Sequence, residues 1–262
     1  MVKSVRKYGK HPFRVALLHG GPGASGEMQP VAKELGKDFG VLELLQTKKT
    51  ITGQIEEFHR QLTESADLPV ILIGHSWGAW LGFLFASRYP EFVSKLILIG
   101  AGAFESQYNH DLMNIRLSRL SERNRKKAER LIYEIESGSI DKEVLKAFGH
   151  LMTRADSYDY DKNVQDTVDL DMEIYQSVWP EASKLRNSNE LVRFADGIRC
   201  PVVAIHGEYD SHPADGVEKP LSERLPHFKM IRLEKCGHVP WKERQATNKF
   251  FQILKEEIMQ KR

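Results

Sequence analysis

The chain has 262 residues, 41% of them hydrophobic, and its 38 basic and 36 acidic side chains leave a net charge of +2; this length predicts one domain, or one domain carrying an insertion, with room for a sizeable core. So even a charge balance gives no reason to expect nucleic acid, a membrane surface or a polyanionic substrate as partner, and the longest apolar runs fall far short of the ~20 residues a bilayer span needs. Met1–Arg14 has charges but no apolar core segment, so no signal peptide is expected, and two cysteines do not make a disulfide framework.

In chain order, Val2–Tyr8 could add an edge strand and Arg14–Leu18 reads as the first interior one. Met28–Gly36 follows as a helical pattern, then a strand at Phe39–Leu44, a helix at Thr52–Ala66 and a strand at Pro69–Ile73. The pattern Trp77–Tyr89 is helical and Pro90 should stop it. A strand at Lys95–Ile99 comes next, and after about a hundred residues two more at Pro201–Ile205 and Lys229–Leu233, with a closing helix at Gln245–Gln260. Strands so rich in Val, Ile and Leu suit burial on both faces, and their alternation with helices predicts an α/β fold with a mostly parallel sheet.

The long gap contains no strand-like run between Glu105 and Asn189. Asn109–Ser137 reads as one long helix with Leu112, Ile115, Leu120, Leu131 and Ile135 on its apolar side, and Lys142–Met152 and Thr167–Trp179 read as further helices. The expected organisation is therefore a core of residues 1–103 and 190–262 with a helical cap, 104–189, inserted between two strands. The basic run Arg123–Arg130 reads as a solvated helix face. If the flanking strands are parallel, Cys200 and Cys236 lie at opposite ends, ~17 Å apart, too far to bridge. A soluble cytoplasmic enzyme is the simplest reading.

Three segments carry chemistry. Gly74-His75-Ser76-Trp77-Gly78 is a G-x-S-x-G between an apolar strand and a helical pattern. A serine hydroxyl needs a base in contact and a fixed, exposed position to act as a nucleophile, and a tight strand-to-helix turn with small flanking residues supplies the position. The competing reading makes Ser76 a helix-capping serine. His75 is expected to pack beneath the site. The base is His238, in Cys236-Gly237-His238 after the last strand, and its orienting acid is Asp210, in Glu208-Tyr209-Asp210 after the strand before. Glu208, Asp215 and Glu105 are rival acids, and Cys236 a rival nucleophile. His206, Asp210, His212 and His238 have metal-binding side chains, but their spacing fits no zinc pattern, so no metal is expected. His19-Gly20-Gly21-Pro22-Gly23 follows the first interior strand; the N–H groups of Gly21 and Trp77 are the expected oxyanion donors. No phosphate-loop or dinucleotide motif is present, so no cofactor is expected.

Ser76, Asp210 and His238 in that order, each beyond a strand, make the chain resemble the α/β-hydrolase superfamily over nearly its full length. His19–Gly23 together with Ser76-Trp77-Gly78 is similar to the proline iminopeptidase branch, although His75 stands where that branch usually has glycine, and Leu44-Leu45-Gln46-Thr47 replaces a common Asp- and Gly-rich loop. The resemblance implies an α/β-hydrolase fold and a serine hydrolase working on a small ester, lactone, thioester or amide through an acyl-enzyme. Release of an N-terminal proline is the alternative that branch implies, and a non-catalytic binding protein of the same fold is a third reading. Trp80, Phe148, Met152, Tyr175 and Trp179 are the expected lining of a small-molecule pocket.

Overall fold

Successive residues of a strand face opposite sides of a sheet, and here both sets are apolar. The chain meets that demand with helices on both faces in the computed structural model, which describes residues 4–109, 111–137, 142–164 and 168–260. The elements begin with β1 (Val5–Tyr8), β2 (Phe13–Leu18), β3 (Ala24–Ser25), α1 (Gln29–Leu35), β4 (Gly40–Leu44), α2 (Ile51–Ser65), β5 (Val70–His75), α3 (Trp77–Arg88) and β6 (Val93–Ile99). Four helices follow, α4 (Leu112–Ser118), α5 (Glu122–Glu136), α6 (Lys142–Ala155) and α7 (Met172–Asn187), with β7 (Asp169–Leu170) before the last. The chain then returns through β8 (Val202–Gly207), α8 (Asp215–Arg224), β9 (Phe228–Leu233) and α9 (Thr247–Met259).

Seven strands form the main sheet in the order β1-β4-β2-β5-β6-β8-β9, every neighbouring pair parallel except β1 with β4. One face presents Ala16, Leu18, Leu42, Leu44, Leu72, Leu96 and Leu98 to Phe58 of α2 and Phe83 and Phe85 of α3. The other presents Val15, Leu17, Val41, Ile73, Ile97 and Ile99 to Val31 and Leu35 of α1 and Phe250 and Leu254 of α9. Each large side chain taken out of water there stabilises the fold by roughly 1.5–3 kcal/mol. Helix α3 is buried from Trp77 to Ala86, as a helix apolar all round must be.

The helices between β6 and β8 differ from the expectation in three ways. The pattern Asn109–Ser137 is two helices, broken at Arg119–Ser121. Arg119 turns inward there: its Nη1 donates to Tyr209 O (2.7 Å) and Ser211 Oγ (2.8 Å), and its guanidinium lies 3.8 Å from the Tyr209 ring. Thr167 lies outside the described residues, and α7 starts only at Met172, capped by the Asp171 carboxylate accepting from Ile174 N–H, and runs on to Asn187. Before it, β7 pairs antiparallel with β3, a strand too short to show any period. Helix α8 was not expected either; Pro220 sits inside it and its apolar stripe is weak. The edge strand spans Val5–Tyr8, and Val2 and Lys3 lie outside the described residues. The basic run lies on α5, where Lys126, Arg125 and Arg130 pair with Glu122, Glu129 and Glu134 one turn away in solvent. Among the described residues no helix is long and apolar enough to cross a membrane.

Candidate active site

The nucleophile candidate sits where the sheet leaves no room for a loop. Only Ser76 separates β5 from α3, with φ 50° and ψ −113°. A non-glycine residue in that region costs on the order of 1–3 kcal/mol, offset by the surrounding structure. Ser76 N–H donates to Ile99 O at 2.9 Å, fixing the turn to β6. The side chain does not cap α3, so the N-cap reading has no hydrogen bond behind it. The flanking glycines are steric necessities: a Cβ on Gly74 would collide with the Gly78 carbonyl, and one on Gly78 with the Leu18 carbonyl. Gly78→Ala should therefore lower stability by at least ~1–3 kcal/mol, read as a drop in denaturant midpoint.

His238 reaches the same place from the loop after β9. Its N–H donates to Asp156 O at 2.9 Å, and Gly237 N–H donates to the Glu243 carboxylate at 3.0 Å. His238 Nδ1 lies 2.7 Å from Asp210 Oδ2, while Asp210 Oδ1 accepts from His212 Nδ1 at 2.8 Å and His212 N–H at 2.9 Å. Burial alone would raise the Asp210 carboxyl, yet the two imidazoles hold it well below the usual carboxylate range. Burial likewise opposes charge on His238, and the Asp210 carboxylate outweighs it, raising the imidazole above its ordinary value. The rivals are elsewhere: Glu105 bonds Gln107, Asp215 pairs with Arg232 and Lys219, and Glu208 is exposed. Burial pushes the Cys236 thiol up, which makes it a poor nucleophile. Asp210, His212 and His238 do bring three potential metal-binding atoms within 4.8 Å of one another. Both Nδ1 atoms face the one carboxylate. His206 stands behind it, its Nε2 2.9 Å from His212 O.

Gly21, with φ 51°, and Trp77 line one cavity together with Ser76 and His238. Trp77 is the first residue of α3, so its N–H has no partner within the helix. Its indole Nε1 donates to Gln46 Oε1 (3.1 Å), and Gln46 Nε2 donates to His19 O (3.0 Å), which ties the elbow to the glycine loop. A second tie was not foreseen. Glu27 accepts from Gly20 N–H and lies 3.0 Å from Nδ1 of His75, whose Nε2 lies 3.0 Å from His238 O. Both ring nitrogens thus face oxygen atoms, one of Glu27 and one of the His238 backbone. Burial would push Glu27 up, but the His75 charge and hydrogen bond and the Gly20 N–H hold it at about 2. A lowered carboxyl stabilises the fold above its unfolded value and ceases to do so as pH falls through its folded one. Glu27→Gln should accordingly cost on the order of 3 kcal/mol at pH 7, and the gap to wild type should close between about pH 4.5 and 2 in urea titrations.

The cavity is about 360 Å³, and all five expected side chains, Trp80, Phe148, Met152, Tyr175 and Trp179, line it. Helices α4, α6 and α7 supply its other wall, with Leu112, Arg116, Leu145 and Arg186. A larger groove, about 1010 Å³, opens at the other end of the parallel strands beside Gly9–Pro12 and Gly36–Gly40. It holds neither the elbow nor the imidazoles, and in open parallel sheets chemistry gathers at the carboxyl ends of the strands.

The family model described as "Alpha/beta hydrolase family" matches residues 15–249. The AB hydrolase superfamily protein YclE of Bacillus subtilis (strain 168) is 26% identical over 181 residues, spanning 66% of this chain and 63% of that protein. The crystal structure of VinJ superposes with a TM-score of 0.69 at 20% identity, covering 97% of this chain and 93% of VinJ. Proline iminopeptidase of Mycobacterium smegmatis superposes with a TM-score of 0.60 at 17% identity, covering 97% and 93%. At those identities the two structures speak for the fold alone.

Proposed function

We propose, since the chain belongs to the alpha/beta hydrolase family, that it is a serine hydrolase whose working groups are Ser76, His238 and Asp210. His238 takes the Ser76 proton as the hydroxyl attacks the substrate carbonyl, then gives it to the leaving group; water repeats the cycle on the acyl-enzyme. Asp210 holds the imidazole with its proton on Nδ1 and stabilises the imidazolium between steps. The N–H groups of Gly21 and Trp77 receive the oxyanion. The observation that carries this reading is the strained serine between β5 and α3, opening into the cavity shared with a histidine whose far nitrogen is held 2.7 Å from a buried carboxylate. A fluorophosphonate probe tests it: the wild type should be labelled on Ser76, and an unlabelled folded protein would overturn the reading.

The substrate class that fits is a small ester, lactone, thioester or amide, because the cavity lies within the range of small-molecule sites and is mostly apolar. Residues 104–189 act as the cap that selects it. Two cysteines, both buried, make no disulfide framework, so the cytoplasm is the proposed location. An iminopeptidase would need a free carboxylate for the substrate's ammonium. Supporting the esterase reading over it, Glu27 and Asp156, the carboxylates that line the cavity, are already engaged, by His75 and by Arg116. A panel of aryl esters beside a prolyl anilide separates the two.

A further inference from the structure

The charged side chains lining the cavity are Glu27, Arg116, Asp156 and Arg186. Three of them are accounted for. Glu27 is bound by Gly20 N–H and His75, and Arg116 grips Asp156 with Nε and Nη2 at 2.6–2.9 Å. Arg186 is different. Among the described residues its one side-chain hydrogen bond, at 3.3 Å, goes to the amide oxygen of neighbouring Asn187, and no carboxylate lies within ion-pair distance of it. Its guanidinium packs 5.7 Å from the ring of Trp80, half-buried, and burial lowers its pKa with no acid to offset the effect. A cation kept partly out of water without an anionic partner is costly to the fold, and an anion entering the cavity would offset that cost. Guanidinium suits this role because its planar fork meets a carboxylate or phosphate with two parallel hydrogen bonds.

From this we infer that Arg186 is the anion-binding end of the substrate pocket, and that the preferred substrate carries a carboxylate or similar oxyanion on an apolar arm. The inference rests on the hydrolase reading for its reaction and deepens it by naming the substrate class. Trp80 stands about one helical turn beyond Ser76, and Ser76 and Arg186 line the same cavity. An arm of medium length, bedded between Trp80 and Trp179, lies between them while its carbonyl stays at the elbow.

The test compares three aryl esters of one chain length: nitrophenyl octanoate, nitrophenyl hydrogen suberate with the carboxylate on the acyl arm, and a carboxy-nitrophenyl octanoate with it on the leaving group. At least one anionic ester should exceed the neutral one in kcat/KM by about ten-fold or more, the size expected of a charge-assisted pair, and which of them does so tells where the anion sits. The ratio should collapse towards one in Arg186→Gln and survive in Arg186→Lys. A neutral ester turned over as well as both anionic ones, or a preference that persists in Arg186→Gln, would overturn the inference. Binding supplies a readout independent of turnover. In Ser76→Ala, octanoate should quench the cavity tryptophans at lower concentration than octanamide, and equal affinities would overturn the inference. If the wild type hydrolyses none of the esters, the hydrolase reading fails while the octanoate comparison still decides the role of Arg186.

Discussion

Replacing Ser76 by alanine should lower kcat by on the order of 10⁶ and leave the thermal midpoint within a few degrees of wild type. The two halves of that result have separate causes. The hydroxyl is the only group the proposed reaction makes a bond to, and no neighbouring side chain can take its place: Cys236 is buried with its thiol pushed up. The fold, by contrast, does not use the hydroxyl, since Ser76 makes no capping bond to α3. The backbone strain at φ 50° is set by the elbow and is much the same for Ala as for Ser. Stopped assays with an aryl ester and a calorimetric scan of the same preparation check both halves. Wild-type turnover in the variant would mean another nucleophile.

Asp210→Asn is the second large effect. It should reduce kcat by up to ~10⁴, because an amide NH₂ facing Nδ1 favours the tautomer with the proton on Nε2, where the base must accept. The pH profile distinguishes this from a merely structural loss. Burial pulls the His238 pKa down, and the Asp210 charge and hydrogen bond more than reverse that. His238 acts as a base only when neutral, so the acidic limb of kcat/KM in the wild type should turn above the ordinary histidine value. In Asp210→Asn the raising charge is gone and burial remains, so the limb should move to lower pH. An unmoved limb would mean that Asp210 does not act on His238. The variant also leaves His212 without its carboxylate; burial already holds that imidazole at about 4, so it stays neutral through the assay range.

The parallel strands of the sheet were legible because each is a run of Val, Ile and Leu with helix patterns between, a signal that survives without knowledge of the fold. Gly74-His75-Ser76-Trp77-Gly78 was legible for a related reason, since glycine spacing encodes the elbow's steric demand directly. The contact between His238 and Asp210 was foreseen from their places after adjacent strands β9 and β8. What escaped was set by tertiary contact. Arg119 looks like any surface arginine until Tyr209 and Ser211 draw it inward and break a helix around it. Glu27 and His75 are 48 positions apart and share no motif, and only the packing of the glycine loop over β5 brings them together. Arg186 stood beyond the expected end of its helix, so its place in the cavity wall could not be anticipated. The two-residue pairing of β3 with β7 is too brief for any periodicity to announce.

That small pairing has a mechanical consequence. Ala24 and Ser25 leave directly from the loop that holds Gly21, and they are laced to Leu170 and Asp169, while Asp171 N–H reaches Gly23 O at 2.9 Å. A side chain on Gly23 would strike the Asp171 carbonyl, so the two segments lie in direct contact at this seam. On the proposed reading, in which residues 104–189 are the cap and Gly21 an oxyanion donor, cap and glycine loop are therefore stitched to one another. A cap that lifted to admit a guest would then have to tear that seam or drag the loop out of register, so gate and chemistry could not be tuned separately.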